Sequence, residues 1–294
     1  MTPALVLLIG IIAVSSSSIL IRLCDAPALV IAAYRLTIAS FFFLATSKLK
    51  KNQLFTGITR RDSVLAMLSG FFLSIHFAAW ITSLEYTSVA SSVVLVSTTP
   101  VFVALGSVFF LKEKLGKILV YGITGTVLGA GILGASGTAG GPEFHSWIGN
   151  ALALLGAVGM AGYLLCGRRL RSEVTTLTYV ALVYSAAAVI MVLVTFLFKL
   201  NMLAFSSKTY LLLVLIAIFP QIIGHTSFNW ALKFVSATVI AVVTLGEPIG
   251  ASIMAFFIFG ETLTAFQTIG GILILMGVAL AIRGASTTPC GENS

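Results

Sequence analysis

Runs of about twenty apolar residues follow one another along the chain, parted only by short polar breaks. TPALVLLIGIIAVSSSSILIRL (2–23) and TTLTYVALVYSAAAVIMVLVTFLF (175–198) are two of them. In hydrocarbon each backbone N–H and C=O needs an internal partner, so such a run folds as a spanning α-helix. Only 9% of the 294 residues are charged, against about 25% in a soluble domain. A water-facing surface cannot be built from so few charges. The chain reads as an all-α polytopic membrane protein of the cell membrane.

Span length predicts ten transmembrane helices, at roughly 3–22, 28–47, 63–84, 88–111, 117–136, 147–167, 175–198, 210–231, 237–259 and 264–282. Asp25-Ala26-Pro27 separates the first two, since proline and the residue before it resist helix continuation. With ten spans, thirteen of the 17 Lys and Arg fall in loops on one side: Lys48, Lys50, Lys51, Arg60, Arg61, Lys112, Lys114, Lys117, Arg168, Arg169, Arg171, Lys233 and Arg283. Only Arg22, Lys199 and Lys208 fall on the other, and Arg35 lies inside a span. The bias predicts cytoplasmic N- and C-termini. The net charge of +8 thus reads as topology information rather than a nucleic-acid footprint. The first run lacks the basic start of a cleaved signal peptide and reads as a retained span. Cys24 is expected on the outer side and Cys166 and Cys290 on the inner, so no disulfide is expected.

The chain also repeats itself. At an offset of 148, residues 84–115 fall on 232–263, pairing Ser88 with Ser236, Pro100 with Pro248 and Glu113 with Glu261. Apolar matches are cheap in such a sequence, so these co-registered residues carry the signal. Each half, 1–140 and 141–294, then holds five spans. Five is odd, so the halves enter the membrane from opposite sides as two inverted five-helix repeats, a plan common among secondary transporters.

The endings FFLKEKL and FIFGETL, whose glutamates follow Pro100 and Pro248 by thirteen residues, resemble the EamA type of the drug/metabolite transporter superfamily. DAPALVIAAYRLTIASF (25–41) is similar to that family's second helix. The resemblance implies ten helices around a central cavity, alternating access by rocking of the halves, and export of a small metabolite, with amino acids as the best guess. It does not reach substrate identity.

Ionisable groups deep in a span are functional candidates by default. Gln221, His225 and Asn229 stand at i, i+4 and i+8, with Pro220 ahead of them to loosen the helix. They read as a cavity-lining stripe or as polar glue between helices. His76 and Trp80, at i and i+4, offer a polar ring beside a flat aromatic, or a buried histidine bonded to backbone. Glu247, in TLGEPIGASI near the middle of span 9, is a candidate proton carrier or ammonium site, or a structural donor; its first-half equivalent is Thr99, beside Thr98. Pro100, Pro248 and Pro220 are expected kinks and bending points. Arg35 reads either as a snorkelling interfacial residue or as a gate or substrate-carboxylate partner. Gly122, Gly125, Gly129, Gly270, Gly271 and Gly277 permit close packing within the chain or at a dimer face.

The expected partners are a small-molecule substrate, with a proton as candidate coupling ion, and the lipid bilayer; monomer and homodimer both stand open. No cofactor is expected. Neither HExxH nor GxSxG occurs, which argues against a hydrolase. A metal site from His76, His225 and Glu247 finds no support in their spacing. A phosphate-bearing cargo would want more intramembrane cations than Arg35.

Overall fold

The computed structural model describes residues 2–49, 57–111, 116–135, 146–260 and 264–286. Among these residues all regular structure is helical. The intact helices are Ala28–Leu49 (α3), Arg60–Tyr86 (α4), Lys117–Ala135 (α7), Ser146–Leu170 (α8), Thr176–Leu197 (α9) and Ala265–Ser286 (α14). Four more segments are broken within their length. The first is Pro3–Ser15 (α1) and Ser17–Leu23 (α2); the second is Val89–Val96 (α5) and Thr99–Leu111 (α6). The third is Ser207–Ile216 (α10), a π turn over Ala217–His225, and Thr226–Ala231 (α11). The last is Ala237–Val243 (α12), a 3₁₀ turn over Thr244–Gly246, and Glu247–Phe259 (α13). Eight of these ten segments are long and apolar enough to cross a membrane; α7 and α14 carry shorter apolar runs at Val120–Gly129 and Thr268–Gly277.

Local chemistry sets the boundaries. Thr59 and Asp62 form a capping box at α4, and the hydroxyls of Ser88, Thr175, Ser206 and Ser236 accept from the backbone N–H three residues on. Gly260 ends α13 in the left-handed region, at φ 68°. Pro100 and Pro248 are each the second residue of a thirteen-residue helix, α6 and α13. Without an N–H neither can continue the ladder, so the helix breaks just ahead of it. The co-registered serines and prolines therefore do matching work: α5 and α12 begin at 89 and 237, α6 and α13 at 99 and 247, all at the 148-residue offset.

Helices approach closely where glycine allows. A Cβ on Gly159 would stand 2.6 Å from the backbone N of His76, and Gly156 and Gly162 press on Trp80 and Phe72, so α8 lies flat against α4. In α7 and α14, a Cβ on Gly129 would meet the Gly270 carbonyl at 2.6 Å, and one on Gly277 the Gly122 carbonyl at 2.6 Å. Those glycines serve a contact within the chain. Gly271 faces open space.

The exterior is oily and the interior holds polar groups. Phe41, Phe109, Phe196 and Phe257 are exposed, while Arg35, Gln221 and Asn229 are wholly buried. Lipid as the surrounding solvent explains this inversion.

Candidate functional site

A small cavity, about 30 Å³, lies among the broken segments. Each break adds to its wall: Ser17 from the first, Ser97 and Thr99 from the second, His225 from the π turn, Thr244 and Glu247 from the last. Irregular backbone at membrane depth is tolerated where protein or a cavity satisfies it. Intact helices add Arg35 (α3), His76 and Trp80 (α4) and Met160 (α8); Val14, Val96 and Phe228 complete the lining.

Arg35 organises this wall. Its Nε donates to Gln221 Oε1 at 2.6 Å and its Nη1 to Ser17 Oγ at 3.0 Å. The guanidinium lies 4.0 Å over the Phe77 ring. It is fully buried. The snorkelling reading is thereby corrected: Arg35 is the eighth residue of α3, about 10 Å along it from its start, and its acceptors Gln221 and Ser17 lie inside the bundle. Its Nη2 has no partner.

Two histidines sit across from one another. The His76 ring stacks on Trp80 with centroids 5.7 Å apart and lies 6.2 Å from the His225 ring. His76 Nδ1 pairs with the Gly156 carbonyl at 3.0 Å, which fixes the ring while its other edge stays toward the cavity wall. Besides Arg35 Nη2, buried Trp80 Nε1, Gln221 Nε2 and His225 Nδ1 lack hydrogen-bond partners. Each such group in an apolar surround costs on the order of 1–3 kcal/mol. Three of these atoms, on Arg35, Trp80 and His225, belong to residues that line the cavity.

The EamA-like transporter family model matches residues 1–135 and again 147–283. The chain belongs to the EamA-like transporter family. Among relatives, the uncharacterized transporter YxxF of Bacillus subtilis (strain 168) is 25% identical over 226 residues, 76% of this chain and 71% of that protein. The uncharacterized transporter YyaM of the same organism is 25% identical over 259 residues, 85% of this chain and 83% of its own. A solved crystal structure superposes over 97% of both chains with a TM-score of 0.72 at 20% identity, a likeness of fold. This protein is a multi-pass membrane transporter and not an enzyme.

In this EamA-like transporter the structure gathers Arg35, His76, Trp80, Thr99, His225 and Glu247 around one cavity. Gln221 stands just behind, holding Arg35. Asn229 and Thr98 are not brought to the lining. Asn229 accepts from the Tyr163 hydroxyl and donates to the Tyr184 hydroxyl at 2.9 Å, while Thr98 donates to the Leu95 carbonyl at 2.7 Å. The polar-glue reading describes Asn229. Pro100 and Pro248 adjoin the lining residues Thr99 and Glu247, and Pro220 lies within the π turn. Among the described residues no three His, Cys, Asp or Glu come close enough to hold one metal ion.

Sequence reasoning missed Ser97, Met160, Phe228 and Thr244. Ser17 belongs to the Ser15–Ser18 run of the first apolar segment. That run divides: Ser15 and Ser16 donate back to the Ile11 and Ala13 carbonyls, while Ser17 turns to Arg35.

Proposed function

We propose that this transporter moves a small zwitterion, an amino acid as best candidate, outward across the cell membrane by alternating access. Unpartnered Arg35 Nη2, Trp80 Nε1 and His225 Nδ1 around a cavity that also carries Glu247 are the observation behind this reading. The donors suit a carboxylate and the glutamate suits an ammonium group. The cavity has room for about one or two waters, so an amino acid enters only when the wall opens. A phosphate-bearing cargo would want more cations than Arg35 along the lining.

The architecture proposed is ten helices as two inverted repeats, 1–140 and 141–294, with cytoplasmic termini. The double family match and the equal helix boundaries at the 148-residue offset support it. So does the contact pattern: α8 packs on α4 much as the α10–α11 segment packs on α1, an exchange of equivalent spans between halves. Pro100 and Pro248 become paired bending points, and Glu247 the candidate proton site.

The test is uptake of a labelled amino-acid panel into proteoliposomes, with and without a pH gradient. Wild type, Arg35→Lys and Glu247→Gln are compared. Uptake of an amino acid lost in Arg35→Lys, and no longer gradient-driven in Glu247→Gln, is the expected result. Uptake unchanged in both variants would overturn the assignment of the cavity, and transport of sugar phosphates instead would overturn the cargo.

A further inference from the structure

On the two intact helices that also wall the central cavity, a second and larger hollow opens between the start of α4 and the end of α8. Its volume is about 840 Å³, within the range of small-molecule sites. Its walls are graded. On α4, Arg60 and Arg61 stand at the helix start, Val64 and Leu65 one turn deeper, then Leu68 and Phe72. On α8 the order runs from Arg169 at the helix end through Cys166 and Leu165 to Gly162. Both faces follow i, i+3 and i+4 spacing, so each is a continuous stripe with charge at the rim and hydrocarbon below.

The floor depends on Gly162, where a Cβ would stand 2.5 Å from the Phe72 ring. The Phe72 ring fills that space and leaves the groove open above it. Asp62, the acid nearest in sequence to the rim, is taken up by the helix cap: its Oδ2 accepts from the Thr59 N–H at 2.9 Å and the Thr59 hydroxyl at 2.7 Å. Among the described residues the rim guanidiniums are thus open to an external anion, with Arg61 shared in part with the Asp62 carboxylate.

We propose that this groove binds an anionic phospholipid, its headgroup phosphate held by Arg60, Arg61 and Arg169 and one acyl chain laid along Val64, Leu68 and Phe72. Charge complementarity selects the occupant. A zwitterionic lipid would satisfy the apolar wall but leave three guanidiniums without net compensation. A soluble anion would satisfy the rim but leave the wall empty. Basic pockets between membrane helices favour anionic headgroups.

Native mass spectrometry of the intact, delipidated protein tests this with phosphatidylglycerol, phosphatidylcholine and glycerol phosphate titrated separately. Wild type is expected to retain one phosphatidylglycerol at least about tenfold more tightly than phosphatidylcholine. Arg60→Ala/Arg61→Ala/Arg169→Ala should lose that preference while still binding phosphatidylcholine. Val64→Trp, at a half-exposed position that needs no repacking, should fill the groove and weaken both lipids. Circular dichroism of each variant separates lost binding from lost folding. Equal retention of the two lipids by folded wild type and the triple variant would overturn the proposal, leaving ordinary boundary lipid. Competition by glycerol phosphate at equal affinity would overturn the acyl component. A lipid-free dimer abolished by Val64→Trp would assign the groove to a second copy of the chain.

Discussion

Arg35 and Gln221 stand 186 residues apart in sequence and share a 2.6 Å hydrogen bond at the centre of the bundle. One belongs to α3 and the other to the π turn, so the bond ties the two halves of the chain beside the candidate site. Deleting either partner strands the other. Gln221→Leu should leave Arg35 Nε buried without an acceptor, at about 1–3 kcal/mol. A fall of several degrees in the melting temperature in detergent is expected, together with weaker substrate binding. Gln221→Glu, which keeps an acceptor and adds a counter-charge, should retain most of the stability. Equal melting temperatures for wild type and Gln221→Leu would show that the bond contributes nothing.

Close helix approach makes a second, sharper prediction. Gly159→Ala places a methyl 2.6 Å from the His76 backbone N and 2.9 Å from the Phe72 carbonyl, neither of which can swing aside. α8 must move off α4, at about 1–3 kcal/mol. Gly131→Ala on α7 is the control, because nothing lies within 4 Å of its Cβ. It should be neutral or slightly stabilising. Thermal unfolding of the two variants side by side checks the contrast, and a similar effect from both would refute it.

Much of this was legible because the signals are local. Span length needs only composition, and Ser88, Ser236, Pro100 and Pro248 act on backbone within a turn of themselves, so their pairing survives translation into structure. Arg35 was less legible: its depth follows from sequence, but the choice between interface and interior depends on acceptors from Ser17 and Gln221. The stripe Gln221, His225 and Asn229 illustrates a different limit. Spacing of i, i+4 and i+8 marks one face only in an unbroken α-helix. The π turn over Ala217–His225 bonds i to i+5 and rotates α11 relative to α10. The registry is lost between Gln221, which stands behind the lining, and His225, which reaches it; Asn229, one regular turn further along α11, meets Tyr163 and Tyr184. The break at Ser16 carries no proline to announce it.

Outside the spans, Cys24 supplies a pH test. Burial, and secondarily the Asp25 carboxylate, pushes its thiol up to about 11. The thiolate is the reactive form, so maleimide labelling should be slow at neutral pH and climb about tenfold per unit between pH 7 and 9. The sign follows from a raised pKa, because the neutral thiol dominates until pH approaches 11. A Cys166→Ser/Cys290→Ser background isolates the signal, and Asp25→Asn should speed labelling modestly at fixed pH. Labelling at the rate of a free thiol at pH 7 would contradict this environment.

His225 and Asn229, one helical turn apart, should separate binding from stability. Asn229 bridges two buried tyrosines and its backbone carbonyl accepts from Arg171 Nε at 3.0 Å. Asn229→Leu removes both side-chain bonds and leaves the Tyr163 and Tyr184 hydroxyls short of partners, at about 1–3 kcal/mol. The expected result is a clear loss of thermal stability. His225 already has an unpartnered Nδ1, so His225→Phe gives up little and keeps the aromatic contacts with Phe77 and Phe228. It should fold at least as stably as wild type and lose substrate binding, read as loss of ligand-induced thermal shift. A His225→Phe protein that binds and transports normally would remove His225 from the site and leave Arg35 and Trp80 as the donors facing the cavity.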